Sequence, residues 1–140
     1  WTGGNVLMSA AAAANWTAAL YRPAGAVIPP GSSESMYPGP GEFYGLATFN
    51  LTGLNGLDGS KGVAWGHLGD TYGYTSIAAY FPAMDFGLAV LTNQEGSQQD
   101  SVLALVCKVY NMAQDALEDV PYRNCTYTSG DYYRGYCKCQ

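Results

Sequence analysis

His67 is the single histidine of a 140-residue chain, and it stands in the stretch Val63-Ala64-Trp65-Gly66-His67-Leu68-Gly69-Asp70-Thr71-Tyr72-Gly73-Tyr74-Thr75-Ser76. The stretch reads as an apolar strand that ends near the imidazole, then a glycine-punctuated turn, then a second strand. Glycines at 66, 69 and 73 fall where a chain turns tightly or brings its backbone close to a ligand. One titratable ring beside exposed backbone amides suits a pocket that binds a small substrate. The same ring also serves as a structural residue in many hairpins.

Other reactive arrangements are missing from the sequence. No serine is followed by lysine at the third position, no Gly-x-Ser-x-Gly elbow occurs, and no spacing among the serines, aspartates and His67 selects a triad. No phosphate loop ends in Lys-Ser or Lys-Thr, and Gly66, Gly69 and Gly73 do not make a dinucleotide fingerprint, so no cofactor is expected. Asp85, Asp100, Asp115, Glu118 and Asp119 read as solvated loop or helix-face charges. Cys107, Cys125, Cys137 and Cys139 lack the paired Cys-x-x-Cys spacing of a zinc site. No metal is expected, and a disulfide framework is. Of its three pairings, the one joining Cys137 to Cys139 is sterically the least comfortable, and either of the others ties Cys107 to the tail.

Composition narrows the partners. A net charge of −5 with no basic run argues against nucleic acid and against an electrostatic grip on membranes. No apolar run reaches the length of a membrane span, since even Ser76 to Leu91 is broken by Pro82 and Asp85. Apolar residues make up 48% of the chain and charged residues 12%, half the usual share of charge, so part of the surface is expected to be covered by a partner. Sequons at Asn15, Asn50 and Asn124, together with the cysteines, place the chain in an extracellular or secretory compartment. The chain opens at Trp1 without a basic-then-apolar leader, so any signal peptide is expected to have been removed or to lie upstream.

The elements that must position His67 follow from periodicity. Ser9 caps an alanine-rich helix in which Trp16 and Leu20 share a face, and Pro23 and Gly25 end it. Residues 29 to 42 form a Pro- and Gly-rich loop, Tyr44 to Asn50 alternates weakly, and 53 to 62 is turn-rich with Leu54 and Leu57 folded inward. Strands are predicted over Gly62–Leu68, Tyr74–Phe81 and Phe86–Leu91, the last two joined as a hairpin by Pro82-Ala83-Met84-Asp85. Val102, Leu105, Val106, Val109, Ala113 and Leu117 make the apolar stripe of a long C-terminal helix. An antiparallel sheet with an N-terminal helix and a C-terminal helix packed on it is α+β. The tail's tyrosines, among them Tyr127, Tyr132, Tyr133 and Tyr136, are expected to pack under the last helix.

These motifs, in this order, resemble the serine beta-lactamase and penicillin-binding-protein superfamily in its class C-like, esterase and D-aminopeptidase branches. His67-Leu68-Gly69 stands where that superfamily has its third active-site motif, Lys-Thr-Gly or His-x-Gly. Gly73-Tyr74-Thr75-Ser76 is similar to the Gly-Tyr-x-Ser step after it, and Leu91-Thr92-Asn93-Gln94-Glu95 to its strand-end phrase. Gly3-Gly4, the first helix, the apolar link Val27-Ile28-Pro29-Pro30 and Ser35-Met36 resemble the segment after its second motif, so the likeness runs from residue 3 to 117.

The resemblance implies a partial beta-lactamase-like fold and acyl-serine hydrolysis of a small peptide, beta-lactam or ester. It places His67 facing the pocket, Gly69 beneath the substrate and the Asp70 amide as one half of an oxyanion hole, with Leu68, Thr71, Gly73 and Tyr74 against the substrate. Relatives commonly have glycine where this chain has Asp70. The Ser-x-x-Lys motif is absent, and the one Tyr-x-Asn, Tyr122-Arg123-Asn124, follows the last helix. Residues 1–119 are therefore expected to be the C-terminal portion of a catalytic domain, inactive alone, whose partner is the missing N-terminal part. Residues 120–140 are expected to be a Cys- and Tyr-rich disulfide-linked tail. The alternative is a non-catalytic secreted glycoprotein that uses the sheet as a binding module.

Overall fold

In the computed structural model, three strands form an antiparallel meander whose register is set by a two-residue turn. β2 (Trp65–Thr71) pairs with β3 (Tyr74–Phe81) from Trp65↔Tyr80 to Thr71↔Tyr74, and β3 pairs with β4 (Phe86–Thr92). Tyr72 and Gly73, at φ 47° and 87°, make the first turn, the left-handed pair that a tight hairpin requires. A 3-10 turn at Pro82–Met84 with Asp85 left-handed makes the second. The short β1 (Phe49–Asn50) pairs with Gly66 and Trp65 at the edge of β2, giving the order β1-β2-β3-β4. The structure describes residues 4, 6–24, 27–29, 31–55, 62–94, 100–130 and 135–140. The expectations on Gly3, Leu57, Glu95, Tyr132 and Tyr133 lie outside them.

Side chains alternate across this sheet and meet a helix on each face. On the back, Leu68, Ile77, Ala79, Phe81 and Leu88 pack against Val102, Leu103, Val106, Cys107 and Tyr110 of α2 (Asp100–Leu117), with Phe81 stacked on Tyr110 at 4.0 Å. On the front, α1 (Ala10–Tyr21) lies over β3 and β4, where Ala14 and Ala18 close on Gly87. Ala18 and Tyr21 join Tyr80, Tyr37 and Trp65 in a second, smaller cluster. Ser9 caps α1 as expected, accepting from the Ala12 amide at 3.2 Å. This is α+β architecture.

The expected buried stripes are shifted on both helices. α1 turns Ala13, Thr17, Ala18 and Tyr21 inward and leaves Trp16 53% exposed, because alanines let the helix approach a sheet at van der Waals distance where an indole would hold it off. α2 buries Val102, Leu103, Val106, Cys107, Tyr110, Asn111 and Asp115, whereas Leu105, Val109 and Leu117 are exposed. The tail explains the difference. β5 (Cys125–Thr128) and β6 (Tyr136–Cys139) form a hairpin that packs on α2 and is held by disulfides Cys107–Cys137 and Cys125–Cys139, so α2 is buried from two directions. Cys125, Cys137 and the partly buried Tyr127 belong to the main core.

Of the aspartates read as solvated, Asp115 is not, and Asp85 is solvated but engaged. Asp115 is buried and accepts from the Arg123 amide at 2.8 Å and from its Nε at 2.6 Å, fastening the chain that leads into the tail. Asp85 is exposed but accepts from Arg22 Nε at 2.7 Å and Tyr80 Oη at 2.9 Å, tying the end of α1 to the second hairpin. Those two donors, Arg22 first, hold the Asp85 carboxyl below its usual range.

Asp115→Ala leaves the Arg123 guanidinium and amide without their acceptor, and an expected loss of about 2–3 kcal/mol is read from urea unfolding. Burial, aided by the Asp100 charge, pushes the Tyr127 phenol up to about 12, against roughly 10 in the unfolded chain. The unfolded state therefore gives up that proton first, and Tyr127 contributes stability that is complete below roughly pH 10 and falls as pH rises toward 12. Tyr127→Phe should lose stability less steeply than the unsubstituted chain across that window.

Candidate functional site

The front face of β2 carries Trp65, His67, Gly69 and Thr71, opposite Tyr80, Ala78, Ser76 and Tyr74 of β3. α1 covers the Trp65 end. Trp65 stacks on Tyr37 at 4.4 Å with the planes 12° apart, and Tyr37 lies 6.3 Å from Tyr21. His67 is the next front-face residue beyond this aromatic layer, and it is exposed.

The imidazole is nonetheless held on three sides. Tyr44 Oη lies 2.9 Å from Nε2, Leu68 O lies 2.5 Å from Nδ1, and the Phe49 ring meets it edge-on at 5.0 Å. Tyr44 comes from the segment before β1, where it bridges to Phe49, while the Gly45 amide bonds Thr48 O at 2.8 Å and the Leu46 amide bonds Met36 O at 3.0 Å. A loop that would otherwise be loose is thereby fixed beside His67.

Gly69 stands next to His67 on the same face. The space a Cβ would fill there is occupied by the Ser76 hydroxyl from β3. Along the other edge, β1 stops at Gly66, so among the described residues no strand runs beside His67 to Thr71. The result is a floor of exposed imidazole and phenol beside half-buried Gly69 and Ser76, with Gly4 against Thr71 at its far end.

The structure separates the remaining expected site residues. β2 continues through Gly69 to Thr71, so His67 is in mid-strand, not at a strand's end, and the turn is confined to Tyr72 and Gly73. Gly66 and Gly69 are small because neighbouring atoms of β3 occupy their side-chain space, not because the chain reverses there. Leu68 points to the back and is 7% exposed within the core, so its side chain cannot touch a ligand lying on His67. Asp70 alternates to that back side too, opposite Thr75, and its carboxylate is not beside the imidazole. Thr71, Gly73 and Tyr74 lie at the far end of the floor, about 13 Å along the strand from His67. Tyr44 and Ser76 are site residues that periodicity does not reveal. Nothing in the local sequence of either shows which side chain it will face.

Elsewhere, a cleft of about 480 Å3 opens between the β3–β4 turn and the end of α2, lined by Gly62, Ala83, Met84, Tyr110, Gln114, Leu117 and Glu118. It is on the opposite side of the sheet from His67, and Glu118 there accepts from Gln114 at 2.9 Å. Among the described residues no group of three or more His, Cys, Asp or Glu is placed to hold a metal ion, and no helix is long and apolar enough to cross a membrane. Asn15 and Asn124 are exposed, whereas Asn50 is half-buried in β1 with its Oδ1 accepting from the Thr52 amide at 3.1 Å.

No family model matches the chain, and neither a curated protein nor a solved structure matches it.

The fit of Gly69 to Ser76 makes a measurable claim. Gly69→Ala drives a methyl group into the Ser76 hydroxyl and should cost about 1–2 kcal/mol by overpacking. Combining it with Ser76→Ala should return part of that loss, giving a coupling well above the roughly 0.3–0.5 kcal/mol of independent sites. Urea unfolding of the two single variants and the double variant checks it.

Proposed function

We propose that this chain is the C-terminal portion of a secreted beta-lactamase-related serine hydrolase, and that His67-Leu68-Gly69 is one wall of its acyl-transfer site. One observation carries the reading: an exposed His67 and a half-buried Gly69 stand side by side on the front sheet face, beside an edge of β2 along which, among the described residues, no strand runs. An extended substrate has a place to lie there, with no side chain at Gly69 to lift it off the strand.

On this reading an upstream segment supplies the Ser-x-x-Lys nucleophile and the Tyr-x-Asn relay. The serine attacks an amide or ester carbonyl of a small peptide, a beta-lactam or an ester, the leaving group departs, and water hydrolyses the acyl-serine. The Asp70 amide serves as one donor to the developing oxyanion. The Asp70 side chain alternates to the other face of β2, so its carboxylate is not on the side where that oxyanion would form. Exposed Leu91, opposite Ser76 on the front face, supports a face that the upstream part covers. Two disulfides and exposed sequons at Asn15 and Asn124 support secretion. No cofactor is invoked.

A fluorophosphonate or beta-lactam probe, read by intact mass, tests the proposal. Covalent label is expected on a longer chain that includes the upstream sequence, and none on residues 1–140. His67→Ala in the longer chain should slow labelling by about 10²-fold, the usual scale for losing a group that manages a proton in the site. Label on neither chain would overturn the hydrolase and favour the secreted binding glycoprotein.

A further inference from the structure

We propose that Tyr44 is a positioning residue for His67: it fixes the imidazole as the tautomer with Nδ1 protonated and Nε2 bare, and presents its own phenol oxygen to a ligand as the acceptor.

The assignment follows from which atoms can donate. Leu68 O, 2.5 Å from Nδ1, is a carbonyl and can only accept, so Nδ1 carries the hydrogen. A neutral imidazole has one N–H, which leaves Nε2 a lone pair. The partner of Nε2 at 2.9 Å is Tyr44 Oη, and that bond therefore runs from the phenol to the ring. Rotation of the pair is restricted, because Phe49 packs on both rings, at 5.0 Å from His67 and 4.4 Å from Tyr44. With its hydrogen committed to Nε2, the Tyr44 oxygen keeps lone pairs in a residue that is 46% exposed.

The chemical consequence is one of polarity. A ligand on the floor meets an acceptor at Tyr44 and a second polar oxygen at Ser76, and the imidazole offers it no N–H. The pair thus suits a group that donates, an amide N–H or a hydroxyl, and repels a carbonyl oxygen. In the hydrolase this assigns His67 and Tyr44 to the donor-bearing side of the reaction and leaves the carbonyl to backbone amides. That consequence rests on the hydrolase reading; the tautomer does not.

A single histidine makes the test direct. In the 140-residue chain grown with 15N-histidine, two ring resonances report the tautomer of the neutral ring without assignment ambiguity. The unsubstituted chain should show Nδ1 protonated and Nε2 bare. Tyr44→Phe keeps the ring contact with Phe49 and removes the donor, and should move the tautomer ratio about tenfold toward Nε2–H, the worth of one hydrogen bond. An Nε2–H ring in the unsubstituted chain overturns the proposal before any variant is made. An unchanged ratio in folded Tyr44→Phe overturns it as well. Failure of the hydrolase would appear elsewhere, as absence of acyl label on the longer chain.

Discussion

A slip of one residue in the pairing of β2 with β3 would carry His67 into the core and put Leu68 out in solvent. Because side chains alternate with a period of two, everything the front face offers depends on the register that joins Gly69 to Ser76 and His67 to Ala78. Three features favour that register. The Tyr72-Gly73 turn has two residues; Leu68, Ile77 and Leu88 are needed on the α2 side; and the Ser76 hydroxyl lies in the space left by Gly69. The geometry of the floor is thus a by-product of burying the back.

The two faces are covered unequally, and this decides where a ligand could lie. α2 is long, meets β3 and β4, and is itself covered by the disulfide-held hairpin. α1 is shorter and close-packed through alanine, and its side of the sheet is finished by the Tyr21, Tyr37, Trp65 and Tyr80 cluster. Among the described residues the α1 layer ends at Trp65, and His67 is the next front-face position, exposed beside Tyr44 and Phe49. The tail contributes stability on the back and cannot screen the front. Its cysteines and the Asp115–Arg123 contact act on α2 and not on the imidazole.

Much of this was legible in the sequence because it depends on local rules. The Ser9 cap, the Pro82 hairpin, the strands at Tyr74 and Phe86, and the link from Cys107 to the tail need only neighbouring residues or the arithmetic of four cysteines. What was misread depends on neighbours distant in sequence. Gly66 and Gly69 look like turn punctuation, yet each is small because an atom of β3 occupies its side-chain space. Leu105 and Val109 continue a plausible stripe, but burial went to Tyr110, Asn111 and Asp115, since the tail covers that side of α2 and Arg123 supplies the charge that a buried aspartate requires.

Tyr44 shows the same limit at the site itself. It is 23 residues from His67, in a segment with weak alternation and no regular strand of its own, and it arrives at Nε2 because Gly45 and Leu46 are bonded to Thr48 and Met36. A histidine motif read alone describes an imidazole free to donate or accept. The folded chain removes that choice, for Leu68 takes the one hydrogen of the neutral ring and Tyr44 takes the lone pair. Whatever binds on this face therefore meets a phenol where the sequence advertises a histidine, and the chemistry available to it is that of the pair.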